Sequence, residues 1–303
     1  MKHYILSCSI LFFCLISNGQ NFESGVSSLP KVQVLHKDFV ANGACSTDNM
    51  GNIYVSEYGI FEETGGNGSR LFKISPKGEI ITTYKGLSGP MGSQTDSQGN
   101  LFLNNDNNTL RGVVVKIDNK GNKSDLAIVE GWPTGMAIDK NDMIYLTNYN
   151  LPRINTVTSD GKVELLIEDE RLLGCTGIDF LSNDDIIVSN FIDAKIYRIN
   201  KELEITEITT IDNITVQGWG IGYITVIEDE IYATGIAVNK IFKISLDGTY
   251  EIFAGNGDGE TVEGNLLNAA INYPNGIASD KENKILYISE YGQKGGIRKI
   301  QLR

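Results

Sequence analysis

The chain has 303 residues, of which 41% are hydrophobic and 21% charged, and it contains 33 glycines against six prolines. This composition is that of a folded globular protein with many tight turns, and the length allows two domains or one repeat-built domain. A formal net charge of −12 repels polyanions, which argues against nucleic acid and anionic membranes as partners. The two histidines, His3 and His36, are too few for most His-based catalysis or zinc binding.

The first 19 residues have the pattern of a secretory signal peptide. Lys2 precedes an apolar run from Tyr4 to Ile16, and small or polar residues follow. We therefore predict cleavage before Gln20 and export to the periplasm or the outside of the cell. No later run reaches the ~18 apolar residues that a membrane span requires, so no membrane insertion is expected.

Residues 31–303 contain six copies of one pattern, and residues 20–30 form a short lead-in. Each copy has an apolar stretch, an Asp or polar turn and an alternating strand, followed by a second pair of strands. The copies begin at Ser46, Gln94, Ala137, Asp179, Ile224 and Ala278. Four-stranded units that repeat every ~45 residues are typical of propeller blades, so we predict an all-β, six-bladed β-propeller. A parallel β-solenoid is the structural alternative.

The last copy ends after three strands, which leaves one blade incomplete. Lys31–His36, KVQVLH, has strand character and precedes the first copy. We predict that this N-terminal strand completes and closes the last blade, because an open ring would leave unpaired strand edges. His36 would then lie on an outer strand, exposed to solvent. Cys45 and Cys175 would lie on opposite blades, too far apart for a disulfide.

The stretch from Phe253 to Asp280, FAGNGDGETVEGNLLNAAINYPNGIASD, resembles an NHL repeat. The blades as a whole are similar to those of NHL-repeat and SMP-30/gluconolactonase-like six-bladed propellers. This resemblance implies either an interaction module or a calcium-dependent lactonase or ester hydrolase. It places metal ligands at the central residue of Pro-x-Gly and at a Glu of the first blade. The corresponding positions are Gly43, Met91, Thr134, Thr176, Ile221 and Asn275, of which Asn275 matches the family.

The linkers before each inner strand and the ends of the second strands should gather around one mouth of the propeller. Oxygen-bearing side chains at these positions are candidate calcium ligands, namely Glu57, Asn105, Asn148, Asn190, Asn275 and Glu290. Structural capping of nearby backbone is the alternative role. Glu57 and Glu290 belong to neighbouring blades, so their carboxylates would repel unless a cation or a proton lies between them.

Aromatic residues of the same mouth are candidate ligand-binding residues, namely Tyr58, Trp132, Tyr149, Trp219 and Tyr291. Such rings stack on a saccharide or an aromatic group, although they could also serve as wedges between blades. The long loop that follows Tyr58, residues 59–70, is a candidate lid or partner contact.

We therefore expect an exported, monomeric propeller that binds a small molecule, saccharide-like for example, or a protein partner at its mouth without clear catalytic residues. The alternatives are a calcium-dependent lactonase or ester hydrolase and a structural module of a larger assembly.

Overall fold

The computed structural model describes residues 29–62, 65–107, 110–292 and 294–303. The predicted signal peptide and most of the lead-in lie outside these residues. Within them the protein is a six-bladed β-propeller, as predicted.

The first three blades follow β1 (Lys31–His36) along the chain. Blade 1 contains β2 (Cys45–Thr47), β3 (Ile53–Ser56), the hairpin strands β4 (Phe61–Glu62) and β5 (Gly65–Gly66), β6 (Arg70–Ile74) and β7 (Ile80–Lys85). Blade 2 contains β8 (Ser93–Thr95), β9 (Leu101–Asn105), β10 (Arg111–Ile117) and β11 (Lys123–Glu130). Blade 3 contains β12 (Pro133–Ile138), β13 (Ile144–Asn148), β14 (Arg153–Val157) and β15 (Val163–Glu168).

A single 3-10 turn, Glu170–Leu172, precedes the second half of the ring. Blade 4 contains β16 (Cys175–Phe180), β17 (Ile186–Asn190), β18 (Lys195–Ile199) and β19 (Ile205–Thr210). Blade 5 contains β20 (Ile221–Ile227), β21 (Glu230–Gly235), β22 (Lys240–Ile244) and β23 (Tyr250–Ala254). The short β24 (Gly264–Asn265) precedes blade 6, which contains β25 (Pro274–Asp280), β26 (Ile285–Glu290) and β27 (Ile297–Gln301).

The turns between the first and second strands explain the repeated Asp of the sequence. In blade 1, Asp48 Oδ1 accepts hydrogen bonds from the backbone N–H groups of Met50 and Asn52. Gly51 provides the positive φ of 74° that this turn needs. Asp96 and Asp139 form the same turn in blades 2 and 3.

The N-terminal strand closes the ring, as predicted. β1 pairs with β27, with Val32 opposite Ile300, and Val32 is fully buried. The other edge of β1 pairs with β24, and Glu263 Oε1 accepts a hydrogen bond of 2.7 Å from the N–H of Val34. The acidic loop before β24 therefore covers the outer edge of blade 6, which removes an unpaired strand edge.

Buried hydroxyl groups on second strands bond to the inner strand of the following blade. Thr147 Oγ1 donates to the carbonyl of Thr176, and Thr234 Oγ1 donates to that of Asn275. Ser289 donates to the carbonyl of Gly43 and so links blade 6 to blade 1. These bonds hold blades 3, 5 and 6 against the inner strands that follow them, close to the mouth.

The fold also tests the predictions for the two cysteines and for His36. Cys45 and Cys175 lie in blades 1 and 4 and are free thiols, as predicted. His36 lies on the outer strand, but it is half-buried because its ring stacks on Phe39 at 4.7 Å, so the expectation of an exposed histidine is wrong. Across the described ranges, we find no helix of the length and apolarity that a membrane crossing requires.

Candidate functional site: an aromatic pocket at the mouth

A cavity of about 260 Å³ opens at the mouth formed by the linkers and the ends of the second strands. Eight aromatic side chains provide most of its wall, namely Tyr58, Phe61, Trp132, Tyr149, Phe191, Trp219, Tyr223 and Tyr291. All five residues predicted to bind a ligand are among them. Phe61 belongs to the loop predicted as a lid or partner contact, and Phe191 and Tyr223 are not among the predicted ligand-binding residues.

Six of these rings form a continuous belt. Phe61 stacks on Trp132 with 5.9 Å between ring centroids, and Trp132 meets Tyr149 edge-on at 5.6 Å. The contacts continue from Tyr149 to Phe191, from Phe191 to Trp219, and from Trp219 to Tyr291 at 5.3 Å. The belt spans residues from blade 1 and from every blade between 3 and 6, so the rings are held by several separate strands.

Strand alternation decides which side chains reach this cavity. Consecutive residues of an extended chain point to opposite sides. Tyr149 follows Asn148 and lines the cavity, whereas the Asn148 side chain points to the linker. Its Oδ1 accepts from the N–H of Trp132 at 2.9 Å, and its Nδ2 donates to the carbonyl of Glu130 at 2.7 Å. Asn148 thus holds the linker that carries Trp132.

Asn105 and Asn190 have equivalent structural contacts. Asn105 Oδ1 accepts a hydrogen bond of 2.8 Å from the N–H of Ser88, and Asn190 Nδ2 donates to the carbonyl of Leu173 at 2.7 Å. These bonds agree with the capping role that the sequence left as the alternative to metal binding. Each side chain thus bonds to the linker of its own blade, and Asn190 Oδ1 also accepts from the N–H of Ile192 at 2.8 Å.

Glu57 and Glu290 each have an arginine partner. Glu57 accepts two bonds of 2.7 Å from Arg70, and this pairing holds the pKa of Glu57 below its usual value. Glu290 contacts Arg298 at 2.8 Å, and both side chains are 0% exposed. Each negative charge is therefore compensated by an arginine of its own blade.

Among the described residues, the side-chain oxygens at the mouth do not form a set that fits a calcium ion. Of the six residues proposed as ligands, only Asn275 lines the cavity, and its Nδ2 donates to the carbonyl of Asn42. The hydroxyls of Thr134 and Thr176 donate to backbone carbonyls. Calcium needs six to eight oxygen ligands. Among the described residues, no group of three or more His, Cys, Asp or Glu side chains could hold a metal ion.

The residue given by the sequence as the blade 5 equivalent of Asn275, Ile221, is one residue too early. Ile221 pairs with Gly235 as Cys175 pairs with Asn190 and Pro274 with Glu290. Gly222 is therefore the residue equivalent to Thr176 and Asn275, and it lines the cavity, whereas Ile221 is fully buried. The error arose because blade 5 has Gly-Ile-Gly where others have a Pro-x-Gly pattern.

We expect calcium to leave the stability of the protein unchanged. A ligand that binds only the folded state raises the unfolding midpoint by mass action, and the part of the mouth that the structure describes offers too few free oxygens for such binding. Thermal unfolding followed by circular dichroism in calcium and in EDTA should give the same midpoint. A calcium-dependent rise that Glu57→Gln with Glu290→Gln abolishes would contradict this assignment.

A second cavity, of about 600 Å³, lies at the opposite end of the axis and is lined by the turns that follow the inner strands. Its walls are rich in carboxylates, several of which connect neighbouring blades. Asp179 accepts from Lys281 at 2.9 Å and from the N–H of Val226 at 2.7 Å. Asp229 accepts from the N–H of Ser182 at 2.8 Å. This acidic cavity differs in chemistry from the aromatic pocket.

Comparison with known proteins supports the fold. No protein-family model and no curated protein match the sequence. An auxiliary nutrient binding protein from Bacteroides thetaiotaomicron has 17% identity and a TM-score of 0.69, over 89% of this chain and 76% of that one. A gluconolactonase from Xanthomonas campestris has 11% identity and a TM-score of 0.63, over 90% and 89%. Virginiamycin B lyase from Staphylococcus aureus has 15% identity and a TM-score of 0.61, over 90% and 100%. The chain thus shares its propeller architecture with binding proteins and enzymes alike.

Proposed function

We propose that this protein is an exported binding protein that takes a small ligand into the aromatic pocket at the mouth of the propeller and does not transform it. The observation that carries this proposal is the belt of rings around a cavity of about 260 Å³. Such rings offer large apolar faces at little entropic cost, and they stack on the flat face of a sugar or of an aromatic group. A saccharide-like ring is accordingly the first class of ligand to test.

The chemistry of the pocket supports binding over hydrolysis. Among the residues that the structure describes, those that line the pocket carry no carboxylate, imidazole, thiol, ammonium or guanidinium group. Burial raises the pKa values of Tyr58 and Tyr149, so these phenols stay protonated and neutral at physiological pH. General acid–base and nucleophilic catalysis both need a group that changes protonation near the working pH. Calcium-dependent hydrolysis would further require oxygen ligands that the described residues of this mouth do not provide.

Two proteins of similar structure also support a binding function. Proteins from two Bacteroides species that are described as auxiliary nutrient binding proteins share the fold at TM-scores of 0.69 and 0.66. An exported protein that collects a small nutrient would agree with the signal-peptide pattern at the N-terminus. We also propose that the chain is a divergent relative of the NHL and SMP-30/gluconolactonase-like propellers that has kept the fold with a different mouth.

Intrinsic fluorescence provides the test, because both tryptophans of the chain, Trp132 and Trp219, line the pocket. Titration with monosaccharides, methyl glycosides, phenols and nitrophenyl glycosides should change the emission saturably for at least one class. The same compounds should stay chemically intact on prolonged incubation. If no compound changes the emission, or if the protein hydrolyses the compound that binds, this proposal is wrong.

A further inference from the structure

One inner-strand residue that lines the aromatic pocket is much larger than its equivalents in the other blades. One position of each inner strand lies directly before the residue that pairs with the middle of the second strand. In blade 3 Met136 pairs with Leu146, so this position is Gly135. In blade 5 Ile224 pairs with Ala233, so it is Tyr223. The residues at this preceding position in blades 1 to 6 are Ala44, Gly92, Gly135, Gly177, Tyr223 and Gly276. Five blades therefore have a methyl group or no side chain there, and blade 5 has a tyrosine.

Glycine at this level is enforced by close packing in the other blades. A Cβ atom on Gly135 would lie 2.0 Å from the carbonyl oxygen of Thr176 in the next blade. A Cβ atom on Gly276 would lie 2.4 Å from the carbonyl oxygen of Gly43. Neighbouring inner strands therefore approach too closely at these two positions for a side chain, whereas Tyr223 places the largest side chain of the six at this level.

The surroundings of Tyr223 locate it between the two cavities. Its side chain lines the aromatic pocket, yet the residue is only 8% exposed. Tyr223 belongs to a buried apolar cluster that includes Ala44 of blade 1, and burial raises the pKa of its phenol. The next residue of its strand, Ile224, lines the acidic cavity. The side chain of Tyr223 therefore extends from blade 5 towards blade 1 at the boundary of both spaces.

We infer that Tyr223 is the floor of the aromatic pocket, closes the central channel and limits the ligand to a compact molecule that enters and leaves through the mouth. The limit on the ligand rests on the proposed binding function, whereas the closure of the channel does not. A ligand that extended along the axis would have to displace this ring. Chain-like ligands are therefore excluded from the channel, and a single ring that stops at Tyr223 is the favoured class.

Chemical labelling of Cys45 tests the closure without any ligand. A dianionic disulfide reagent, 5,5′-dithiobis(2-nitrobenzoate), is repelled by the carboxylates of the acidic cavity, so its approach to Cys45 from that side is slow and an open path through the mouth should add to the rate. With Tyr223→Ala we expect the labelling rate of Cys45, followed by mass spectrometry, to rise roughly tenfold as access improves. Tyr223→Phe keeps the ring and should label at the wild-type rate. Buried Cys175 should stay unlabelled in all variants and so reports intact folding.

Tyr223→Leu provides a second opening variant if the alanine variant does not fold, since leucine keeps apolar bulk but is too short to reach blade 1. Equal labelling of Cys45 in the wild type and in a folded opening variant would overturn the inference.

For the limit on the ligand, we compare methyl glucoside with methyl maltotrioside by tryptophan fluorescence. Preferential binding of the longer compound along the axis of the wild type, seen in a crystal structure, would also overturn it. Failure of every compound to bind would count against the proposed function alone, because the labelling result decides the closure.

Discussion

Replacing Arg298 by Met should lower the free energy of unfolding by about 3–5 kcal/mol, because it leaves the buried carboxylate of Glu290 without its charged partner. Both side chains are 0% exposed. Arg298 also donates to the carbonyl of Ala270 at 2.9 Å and to that of Val262 at 2.7 Å, in the segment that leads into blade 6. The substitution therefore weakens both the ion pair and the attachment of this segment. Urea unfolding followed by circular dichroism measures the loss.

Lys140→Met is the matched control, because its ion pair with Asp184 is largely exposed, with side chains 70% and 46% accessible. Exposed pairs of this kind contribute at most about 1 kcal/mol. The double variant Arg298→Met with Glu290→Met should recover part of the lost stability, since it removes the unpaired charge. If Arg298→Met were no more destabilising than Lys140→Met, the buried pair would not have the role assigned to it.

Replacing Phe191 by Ala should weaken ligand binding about tenfold to a hundredfold, as expected for an aromatic residue at the centre of a binding site. Phe191 contacts both Tyr149 and Trp219, so its removal interrupts the belt in the middle. Tryptophan fluorescence titration with the compound that binds the wild type most tightly measures the change.

Phe180→Ala is the control for this substitution. Phe180 is also a half-buried ring in edge-on contact with a tyrosine, Tyr145, but it lies at the acidic cavity. Its removal should cost stability and leave the affinity at the mouth unchanged. Equal losses of affinity in both variants would mean that binding responds to general destabilisation rather than to the belt.

The fold could be predicted from the sequence because each blade repeats the same local signals. The turn built on Asp48, the alternation of the strands and the incomplete last copy are local features, and β1 had one unpaired edge left to occupy. The pairing of β24 with β1 was not foreseen, because two residues of Gly-Asn carry no strand pattern.

The site was predictable in part for the same reason. An aromatic residue follows the second strand in blades 1, 3, 4 and 6, which identified Tyr58, Tyr149 and Tyr291, and Phe191 occupies the same position. The partners of Glu57 and Glu290 were not predictable, because Arg70 and Arg298 meet them only through strand pairing in three dimensions. Tyr223 was not predicted to line the pocket because blade 5 lacks the Pro-x-Gly pattern from which the register of an inner strand can be assigned.

A crystal structure of the protein with the most tightly bound compound of the fluorescence screen tests the central claim most directly. We predict a single ring-bearing ligand within the belt, in contact with Trp132, Tyr149 and Trp219 and resting on Tyr223. A ligand bound in the acidic cavity, or at a metal ion held by Glu57 and Glu290, would contradict the account.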